Sequence, residues 1–313
     1  MKVFIDGSAG TTGLVIGERL RERTDIVVQR LAGAMRKNGD ARRAALNGSD
    51  IALLCLPDSA AREALTLIEN PSLRVIDTST AHRTASGWAY GFPELSDVAK
   101  NKIRSADRVS VPGCHASGFI ALMHPLISAG IVPADAVISC TSLTGYSGGG
   151  NAMIETYEQS EAHALQAPRS YALDQAHKHL PEMQLHAALS EQPVFQPIVA
   201  ACARGMLVSI PLHRKQLNPG YLAADVAACL RQAYRGPVIF FVDRIDQDGF
   251  ACANRLAGSD AMEVTVTGNA SCMLLLAQYD NLGKGAAGAA IQCLNLMTGQ
   301  AETKGLRLEA GVM

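Results

Sequence analysis

The sequence lacks the features that would direct it to a membrane or to a nucleic acid. Basic and acidic side chains nearly balance, with 28 Lys and Arg against 29 Asp and Glu, so no strong positive field is available for an anionic partner. No apolar run is long enough to cross a bilayer, and the N-terminus shows no basic segment followed by an apolar one. We therefore expect a soluble, cytoplasmic protein that binds neither nucleic acid nor membrane.

Cysteines arranged for disulfide bonds or for a zinc ribbon are also absent. None of the eight cysteines forms a C-x-x-C pair, and most stand in apolar surroundings such as residues 51–56. This pattern is typical of buried thiols in a reducing compartment. The 313 residues are 48% hydrophobic, which is enough for one large or two ordinary domains.

What the chain does contain, at its start, is a strand, a glycine-rich turn and a helix. Residues 2–6 predict the strand, and residues 14–20 have the apolar spacing of a helix. A turn in this position is required for a phosphate-binding loop, although an ordinary tight turn gives the same pattern. The predicted cofactor contacts in the turn are Gly7, Ser8, Gly10, Thr11, Thr12 and Gly13.

Repeated strand and helix patterns follow the turn. Further strands are predicted at 26–31, 50–56, 73–77 and 108–111, with a helix at 59–68. Alternating units of this kind predict a parallel sheet covered by helices on both faces. After the second strand come Arg30, Arg36 and Lys37, with no acid before Asp40. Cations there suit the 2′-phosphate of NADP better than the ribose hydroxyls of NAD, the alternative being solvated loop charges.

The second half of the chain changes character, because strands follow strands. They are predicted at 136–143, 194–199, 204–211, 238–242 and 262–269, with helices at 153–165, 221–234 and 285–297. The fold class is therefore α/β, with an N-terminal Rossmann-like parallel sheet and a second α+β domain.

Cys114 stands between these halves, directly after Pro112 and Gly113 and before an apolar helical segment. The start of a helix favours negative charge, so a thiol there ionises more readily, and the thiolate is a nucleophile. The alternative is a buried structural cysteine.

A base for such a nucleophile is available in residues 177–182, HKHLPE. Glu182 follows His179 by three positions, so its carboxylate could orient the imidazole, and the proline between them suits the first turn of a helix. The alternative is a surface loop. A zinc site at His177 and His179 is poorly supported, because no cysteine or carboxylate stands at ligand spacing, and we expect no metal.

These motifs together resemble those of the short-type N-acetyl-gamma-glutamyl-phosphate reductases of arginine biosynthesis. The resemblance covers essentially the whole chain, and the residues that carry it are 6–13 (DGSAGTTG), 77–83 (DTSTAHR), 91–95 (GFPEL), 112–114 (PGC), 177–182 (HKHLPE) and 280–286 (DNLGKGA). One departure is His115, where the family often has tyrosine or asparagine. This departure concerns the details of substrate contact and does not change the reaction that the resemblance implies.

The resemblance implies a two-domain fold of the semialdehyde-dehydrogenase type. Residues 1–113 would form the NADP-binding Rossmann domain, completed by a C-terminal helix at 282–313, and residues 114–281 would form the catalytic and oligomerisation domain. A homodimer or homotetramer is expected. The alternatives are an aspartate-semialdehyde dehydrogenase and a non-catalytic NADP-sensing protein.

The resemblance also implies the reaction. NADPH would reduce N-acetyl-L-glutamyl 5-phosphate to the 5-semialdehyde through a thioester on Cys114. His179 would act as acid and base, oriented by Glu182, with His177 as the other candidate for that role or as a substrate contact. Arg83 is expected to bind the substrate phosphate or carboxylate, the alternative being a surface arginine. Asn281 would lie near the nicotinamide, or else serve only the core.

Overall fold

The computed structural model describes residues 1–160 and 162–309, which form two compact units. Of the described residues, the first unit comprises 1–113 and 286–306, and the second comprises 114–285 and 307–309. Two predicted segments extend outside the described residues: the helix at 153–165 includes residue 161, and the segment at 282–313 includes residues 310–313.

The first unit contains a six-stranded parallel sheet. Its strands are β1 (Lys2–Asp6), β2 (Val27–Gln29), β3 (Ile51–Leu54), β4 (Arg74–Asp77), β5 (Ala89–Tyr90) and β6 (Arg108–Ser110). Its helices before residue 114 are α1 (Thr11–Arg21), α2 (Gly39–Asn47), α3 (Asp58–Thr66) and α4 (Asp97–Ser105). The strand order is β2-β1-β3-β4-β6-β5, and every pairing is parallel. This sheet confirms the predicted Rossmann-like half of the fold.

Three elements of this unit escaped the sequence patterns. Strand β5 has only two residues, which is too short for a periodic signal. Helices α2 and α4 bury few apolar side chains: Ala45 and Leu46 in α2, and Ile103 alone in α4. Each of these helices has nine residues and at most two apolar side chains larger than alanine, which is too few to mark a helix in the sequence. The second strand is also shorter than predicted, because only Val27–Gln29 pair with β1.

The second unit contains a seven-stranded mixed sheet and confirms the predicted α+β half. Its elements are α5 (Cys114–Ser128), β7 (Ser139–Gly145), α6 (Asn151–Gln159), β8 (Arg169–Ser170), α7 (Leu180–Ala187), β9 (Val194–Ala200), β10 (Met206–His213), α8 (Ala223–Ala233), β11 (Ile239–Phe241), β12 (Met262–Gly268) and β13 (Cys272–Tyr279). The strand order is β11-β12-β13-β10-β7-β9-β8. Strands β7 and β9 run parallel, as do β11 and β12.

Strand β13 was not predicted, although it lies inside this sheet between β12 and β10. Its sequence, CMLLLAQY, is almost continuously apolar. A run of this kind has neither a two-residue nor a 3.6-residue period, so periodicity does not tell a buried strand from a buried helix. The strand matters for the site, because it ends at Tyr279, directly before the DNLGKGA segment.

Helix α9 (Gly288–Met297) belongs to the first unit, and it directly follows a single π-helical turn at Gly283–Ala287. All ten of its residues are buried, and its small side chains pack into the apolar cluster that contains Ile5, Ile16 and Leu53. The first unit is therefore built from both ends of the described chain. Within residues 1–160 and 162–309, no helix is both long enough and apolar enough to span a membrane.

Candidate active site

The glycine-rich turn in the first unit has a backbone that side chains would obstruct. Gly7 has a φ of 84°, and a Cβ there would lie 2.1 Å from the carbonyl oxygen of Cys55. A Cβ at Gly13 would lie 2.4 Å from the carbonyl oxygen of Gly7. Gly10, the N-cap of α1, has no side chain to cap the helix. The turn thus presents a helix start to which a diphosphate group can come close, as a dinucleotide cofactor requires.

A cavity of about 420 Å³ adjoins this turn. Its lining residues are Asp6, Gly7, Ala9, Gly33, Ala34, Arg36, Lys37 and Leu56. Arg36 and Lys37 are exposed and lie on a short 3-10 turn, Gly33–Lys37. The cavity therefore brings the glycine turn and the two predicted cations to one place. These residues fit a phosphorylated dinucleotide.

The carboxylate at this cavity has its own positive partner. Asp6 ends β1, and the Arg42 guanidinium lies 3.0 Å from its carboxylate. Burial raises the pKa of Asp6, while Arg42 opposes that rise. The ion pair reduces the repulsion that a buried carboxylate would exert on an anionic ligand in the same cavity.

In the second unit, Cys114 is the first residue of helix α5. It is half-buried, whereas the nine residues that follow it are all buried. The start of a helix stabilises negative charge on a sulfur atom placed there. Two other cysteines contrast with it, because burial raises the pKa of Cys55 to about 12 and that of Cys140 still further. Those two thiols stay protonated and do not act as nucleophiles.

The segment after β13 packs directly against this cysteine. A Cβ on Gly285 would lie 3.0 Å from the Cβ of Cys114 and 3.0 Å from the carbonyl oxygen of Asp280. The Asp280 carboxylate in turn accepts hydrogen bonds from the backbone N–H groups of Leu282 and Gly283. The DNLGKGA segment is thus a tight turn whose final glycine allows the chain to approach the cysteine.

Three histidine rings gather beside the cysteine-bearing helix. The centroids of His115, His177 and His179 lie 4.7 to 5.7 Å apart. His179 immediately precedes α7 and is buried, and Glu182 is buried in the first turn of that helix. The structure therefore brings the two histidines of the HKHLPE segment next to the residue that follows Cys114, as a base for this thiol requires.

The two histidines of that segment differ in their bonding. Nδ1 of His177 accepts a hydrogen bond from the backbone N–H of His179 at 3.1 Å. That bond uses the accepting nitrogen of a neutral imidazole, so Nε2 of His177 carries the proton and is a donor. This arrangement suits His177 to contact a substrate oxygen, and it favours His179 as the acid and base.

His115 joins two hydroxyl groups across the second unit. Its Nδ1 lies 2.7 Å from Ser142 Oγ, and its Nε2 lies 2.7 Å from Tyr171 Oη. Burial, followed by the proximity of His177 and Lys178, lowers the pKa of His115 to about 3. The ring is therefore neutral in the physiological range and acts as a fixed link that orients Tyr171.

This buried histidine predicts a pH dependence of stability. The unfolded chain protonates His115 near its ordinary pKa of 6.5, but the folded chain does so only near 3, so the unfolded state binds more protons between these values. Lowering the pH from 7 to 5 therefore costs the folded state about 2 kcal/mol through this residue. The variant His115→Asn should lose that much less unfolding free energy over the same interval in urea titrations. Equal pH dependence in both proteins would contradict the assignment.

The segment that carries the histidines is fastened to the sheet edge. Strand β8 pairs with β9, and the Gln175 side chain then bonds both backbone groups of Phe195, at 2.8 and 2.9 Å. Gln175 and Ala172 have positive φ angles of 58° and 50°. Such conformations persist only where the surroundings impose them, and they concentrate at functional sites. The Phe195 ring completes the arrangement by packing edge-on against His115 and His177.

Two residues predicted to contact substrate or cofactor, Arg83 and Asn281, make hydrogen bonds within the protein. Arg83 is buried, so it is not a surface arginine, and its guanidinium donates to the carbonyls of Val111 and Thr78 at 2.9 Å each. Asn281 is also buried: its side-chain oxygen accepts from the Gly205 N–H, and its amide nitrogen donates to Ser147 Oγ. Substrate binding by Arg83 and cofactor binding by Asn281 stay predictions.

Sequence reasoning missed several residues that shape the site. Tyr171 and Ser142 bond His115, Gln175 fastens the histidine segment, and Tyr279 bonds the backbone of Cys114. Each of these residues lies 20 to 165 residues from its bonding partner along the chain, and none belongs to a short pattern. The only available signal was the position of Tyr171 six residues before His177.

The fold and two family models define the class of protein as a semialdehyde dehydrogenase with two domains. Family models described as semialdehyde dehydrogenase match residues 17–105 (NAD binding domain) and 114–281 (dimerisation domain). The structure is similar to aspartate semialdehyde dehydrogenase II from Vibrio cholerae, with a TM-score of 0.72 and 18% identity, covering 95% of this chain and 98% of that one. The structure is also similar to aspartate semialdehyde dehydrogenase from Francisella tularensis, with a TM-score of 0.73 and 14% identity. The similarity covers 95% of this chain and 100% of that one. At these identities the similarity establishes the fold alone.

Relatives of higher identity identify the family. A Pseudomonas putida protein named N-acetyl-gamma-glutamyl-phosphate reductase 2 is 47% identical over 97% of this chain and 98% of its own length. N-acetyl-gamma-glutamyl-phosphate reductase from Burkholderia ambifaria is 43% identical over 96% of both chains. A Nostoc protein, also named N-acetyl-gamma-glutamyl-phosphate reductase 2, is 43% identical over 97% of this chain and 99% of its own length. The chain belongs to the N-acetyl-gamma-glutamyl-phosphate reductase family, which confirms the resemblance.

Proposed function

We propose that this protein catalyses the NADPH-dependent reduction of N-acetyl-L-glutamyl 5-phosphate to N-acetyl-L-glutamate 5-semialdehyde and phosphate, in arginine biosynthesis. The observation that carries the proposal is a cysteine at the start of a buried helix, beside a histidine cluster, in a chain 43–47% identical to N-acetyl-gamma-glutamyl-phosphate reductases along nearly its full length. The catalytic residues proposed are Cys114, His179 and Glu182.

The first step is acylation of the cysteine. His179 takes the thiol proton, and the sulfur of Cys114 attacks the acyl carbon of the substrate. The new carbon–sulfur bond forms as the bond to the phosphate oxygen breaks, and inorganic phosphate leaves. Glu182 orients the imidazole of His179. A thioester accepts hydride far more readily than a carboxylate does, so one difficult reduction becomes two easier steps.

The second step is reduction and release. When bound, the cofactor supplies hydride to the thioester carbonyl. His179 gives its proton to the carbonyl oxygen, and a thiohemiacetal forms on Cys114. The same histidine then takes that proton back while the carbon–sulfur bond breaks, so that the aldehyde leaves and the thiolate is restored. One group thus acts as acid and base in turn.

Substrate binding is assigned to His177 and Arg83. His177 donates a hydrogen bond from Nε2, because its Nδ1 already accepts from the backbone of His179. Arg83 keeps its positive charge while bracing Thr78 and Val111, and that charge attracts an anionic substrate. The side chain of Asn281 is assigned to the cofactor on the family resemblance alone.

The cofactor is proposed to be NADP, bound by the glycine turn with Arg36 and Lys37 at the 2′-phosphate. The exposed position of both cations on one cavity with the turn supports this choice. A related fold, the aspartate semialdehyde dehydrogenase of Candida albicans, was solved with NADP, at 16% identity and a TM-score of 0.70. Fixed cations pair with a phosphate better than with neutral ribose hydroxyls.

Replacing both Arg36 and Lys37 with alanine should weaken the binding of NADPH and leave the binding of NADH nearly unchanged. Hydrogen bonds to charged groups contribute about 1.5–3 kcal/mol, so the KM for NADPH should rise roughly 10- to 100-fold in the double variant Arg36→Ala, Lys37→Ala, with the KM for NADH nearly unchanged. Steady-state kinetics with both cofactors measure this. Arg104→Ala, which removes an exposed arginine of α4, is the control. An equal rise for both cofactors would contradict the assignment.

Two further properties belong to the proposal. The protein is proposed to act in the cytoplasm and to form a homodimer or homotetramer through the domain at 114–281, since the matching family model is described as a dimerisation domain. Light scattering coupled to size exclusion measures the assembly directly, and a monomer at micromolar concentration would contradict it.

The reaction itself is tested in reverse, by phosphate-dependent reduction of NADP. N-acetylglutamate semialdehyde should be the preferred substrate, and aspartate semialdehyde should react poorly. A preference for the aspartate compound would favour an aspartate-semialdehyde dehydrogenase. Binding of NADP without turnover of either aldehyde would favour the sensing protein instead.

A further inference from the structure

The hydroxyl of Tyr279 spans the first turn of helix α5. It accepts a hydrogen bond from the backbone N–H of Gly118 at 3.0 Å and donates one to the backbone carbonyl of Cys114. A helix pairs these same two groups, of residues i and i+4, across one turn. The tyrosine therefore bonds both ends of the turn that begins with the nucleophile.

The position of this hydroxyl is set by the sheet. Tyr279 is the last residue of β13 and is wholly buried. Its backbone lies opposite Met206 of β10 on one side and Met262 of β12 on the other. A group held on an interior strand is fixed more precisely than one on a loop. Tyr279 thus connects the start of helix α5 to the interior of the sheet, which is a rigid part of the second unit.

The hydroxyl keeps its proton, which fixes the direction of both bonds. Burial, followed by the charge of Cys114, raises the pKa of Tyr279 well above its ordinary value. A protonated phenol has one proton to give, and the carbonyl of Cys114 takes it. The backbone N–H of Gly118 then donates to the phenol oxygen.

Gly118 provides the room for this contact. A Cβ at that position would lie 2.7 Å from the Tyr279 hydroxyl and 2.6 Å from Cγ2 of Val208. Glycine inside a helix is less favourable than alanine by about 0.5–1 kcal/mol. The helix therefore carries a residue that weakens it, at the one place in its first turns where the tyrosine enters.

We propose that Tyr279 is a positioning residue: by bonding the Cys114 carbonyl and the Gly118 amide, it sets the tilt of the first helical turn and so aims the sulfur at the acyl carbon. The inference rests on the proposed function of Cys114. Gly285 limits the cysteine on its other side, at its Cβ. The backbone that carries the sulfur is then held in place, and attack by an aligned nucleophile depends steeply on such alignment.

The test compares two tyrosine variants on the same helix. Tyr279→Phe removes the proposed bond, while Tyr234→Phe removes a bond from a buried tyrosine to the carbonyl of Ala121, further along α5. Single-turnover release of phosphate from the acyl phosphate measures acylation of Cys114. We expect acylation to fall roughly 10- to 100-fold in Tyr279→Phe, with the KM for the acyl phosphate changed less than about twofold. Tyr234→Phe should acylate at the rate of the wild type.

Two further measurements distinguish a change in the orientation of the Cys114 sulfur from a simple loss of structure. Alkylation of Cys114 by iodoacetamide places little demand on direction, so its rate at high pH should be the same in both variants. Exchange of the Gly118 amide hydrogen should be faster in Tyr279→Phe alone. The proposal is overturned if Tyr279→Phe acylates like the control, or if both variants lose acylation and alkylation equally.

Failure of the proposed function gives a different result. Wild-type protein that releases no phosphate from the acyl phosphate would refute the reductase reaction. The two variants are then compared by acylation with p-nitrophenyl acetate, which needs neither cofactor nor the specific substrate. A slower burst of p-nitrophenolate in Tyr279→Phe than in Tyr234→Phe supports the positioning role, and equal bursts refute it.

Discussion

Replacing Cys114 with serine should abolish the reductase activity. A serine hydroxyl attacks more slowly than a thiolate even beside the proposed base His179, and the ester that it would form accepts hydride less readily than a thioester does. We expect kcat to fall by at least about 10³-fold. The fold should survive, because the side chain is half-buried and serine is nearly the same size. Phosphate-dependent reduction of NADP and single-turnover phosphate release both measure the loss.

The control for this variant is Cys272→Ser, which removes an exposed thiol at the start of β13 in the same unit. It should keep full activity. In wild-type protein quenched during turnover, mass spectrometry should find the acyl group on the peptide that contains Cys114. Retained activity in Cys114→Ser, or the acyl group on another cysteine, would disprove the thioester mechanism.

Replacing His179 with alanine should give the second largest loss. A positioned acid and base contributes about 10²- to 10⁴-fold, so both acylation and aldehyde release should slow by that factor. His179 is buried, and its removal leaves a space of the right shape for imidazole. Imidazole added to the buffer should therefore restore part of the activity of His179→Ala, as measured in steady-state assays.

His177→Ala provides the comparison for that variant. Because Nδ1 of His177 accepts from the backbone of His179, its loss should mainly raise the KM for the substrate and should not be rescued by imidazole. Rescue of His177→Ala, with little effect in His179→Ala, would exchange the two assignments.

The architecture was largely predictable because its signals are local. Strands β1, β3 and β4 are short apolar runs followed by turns or helices, and those patterns identify a parallel sheet. Strand β13 was missed for the opposite reason, since an uninterrupted apolar run has no period. Element ends also shifted by a few residues: the strand predicted to begin at 136 begins at Ser139, where pairing with β9 begins.

The site was predictable only where the residues could be recognised from their immediate sequence context. The position of Cys114 after a Pro-Gly turn and the spacing of His179 and Glu182 are visible in the sequence, and they pointed to an acylating cysteine. The contacts of Tyr279 and Gln175 are not visible, because they join groups separated by up to 165 residues in the chain. Such pairs arise from the packing of the sheet, which single-sequence patterns do not encode.

Some family motifs proved to be structural braces. His82 of the DTSTAHR segment stacks on Trp88 and bonds the buried carboxylate of Asp77. Glu94 of the GFPEL segment accepts a hydrogen bond from Gln292 of α9. These residues hold the first unit together, so a motif that identifies a family does not by itself mark a reacting group.

The placement of α9 has a consequence for biosynthesis on the ribosome. Residues 286–306 complete the core of a unit that otherwise consists of residues 1–113, yet they are translated only after the whole stretch 114–285. The second unit lies almost wholly in one continuous stretch, 114–285, and most of it emerges before α9 does. The apolar surface of the nascent N-terminal sheet that α9 covers therefore stays exposed until residues 114–285 and then α9 have been translated. A ribosome that stalls within residues 114–285 leaves this sheet uncovered, and exposed apolar surface of this kind is prone to aggregate.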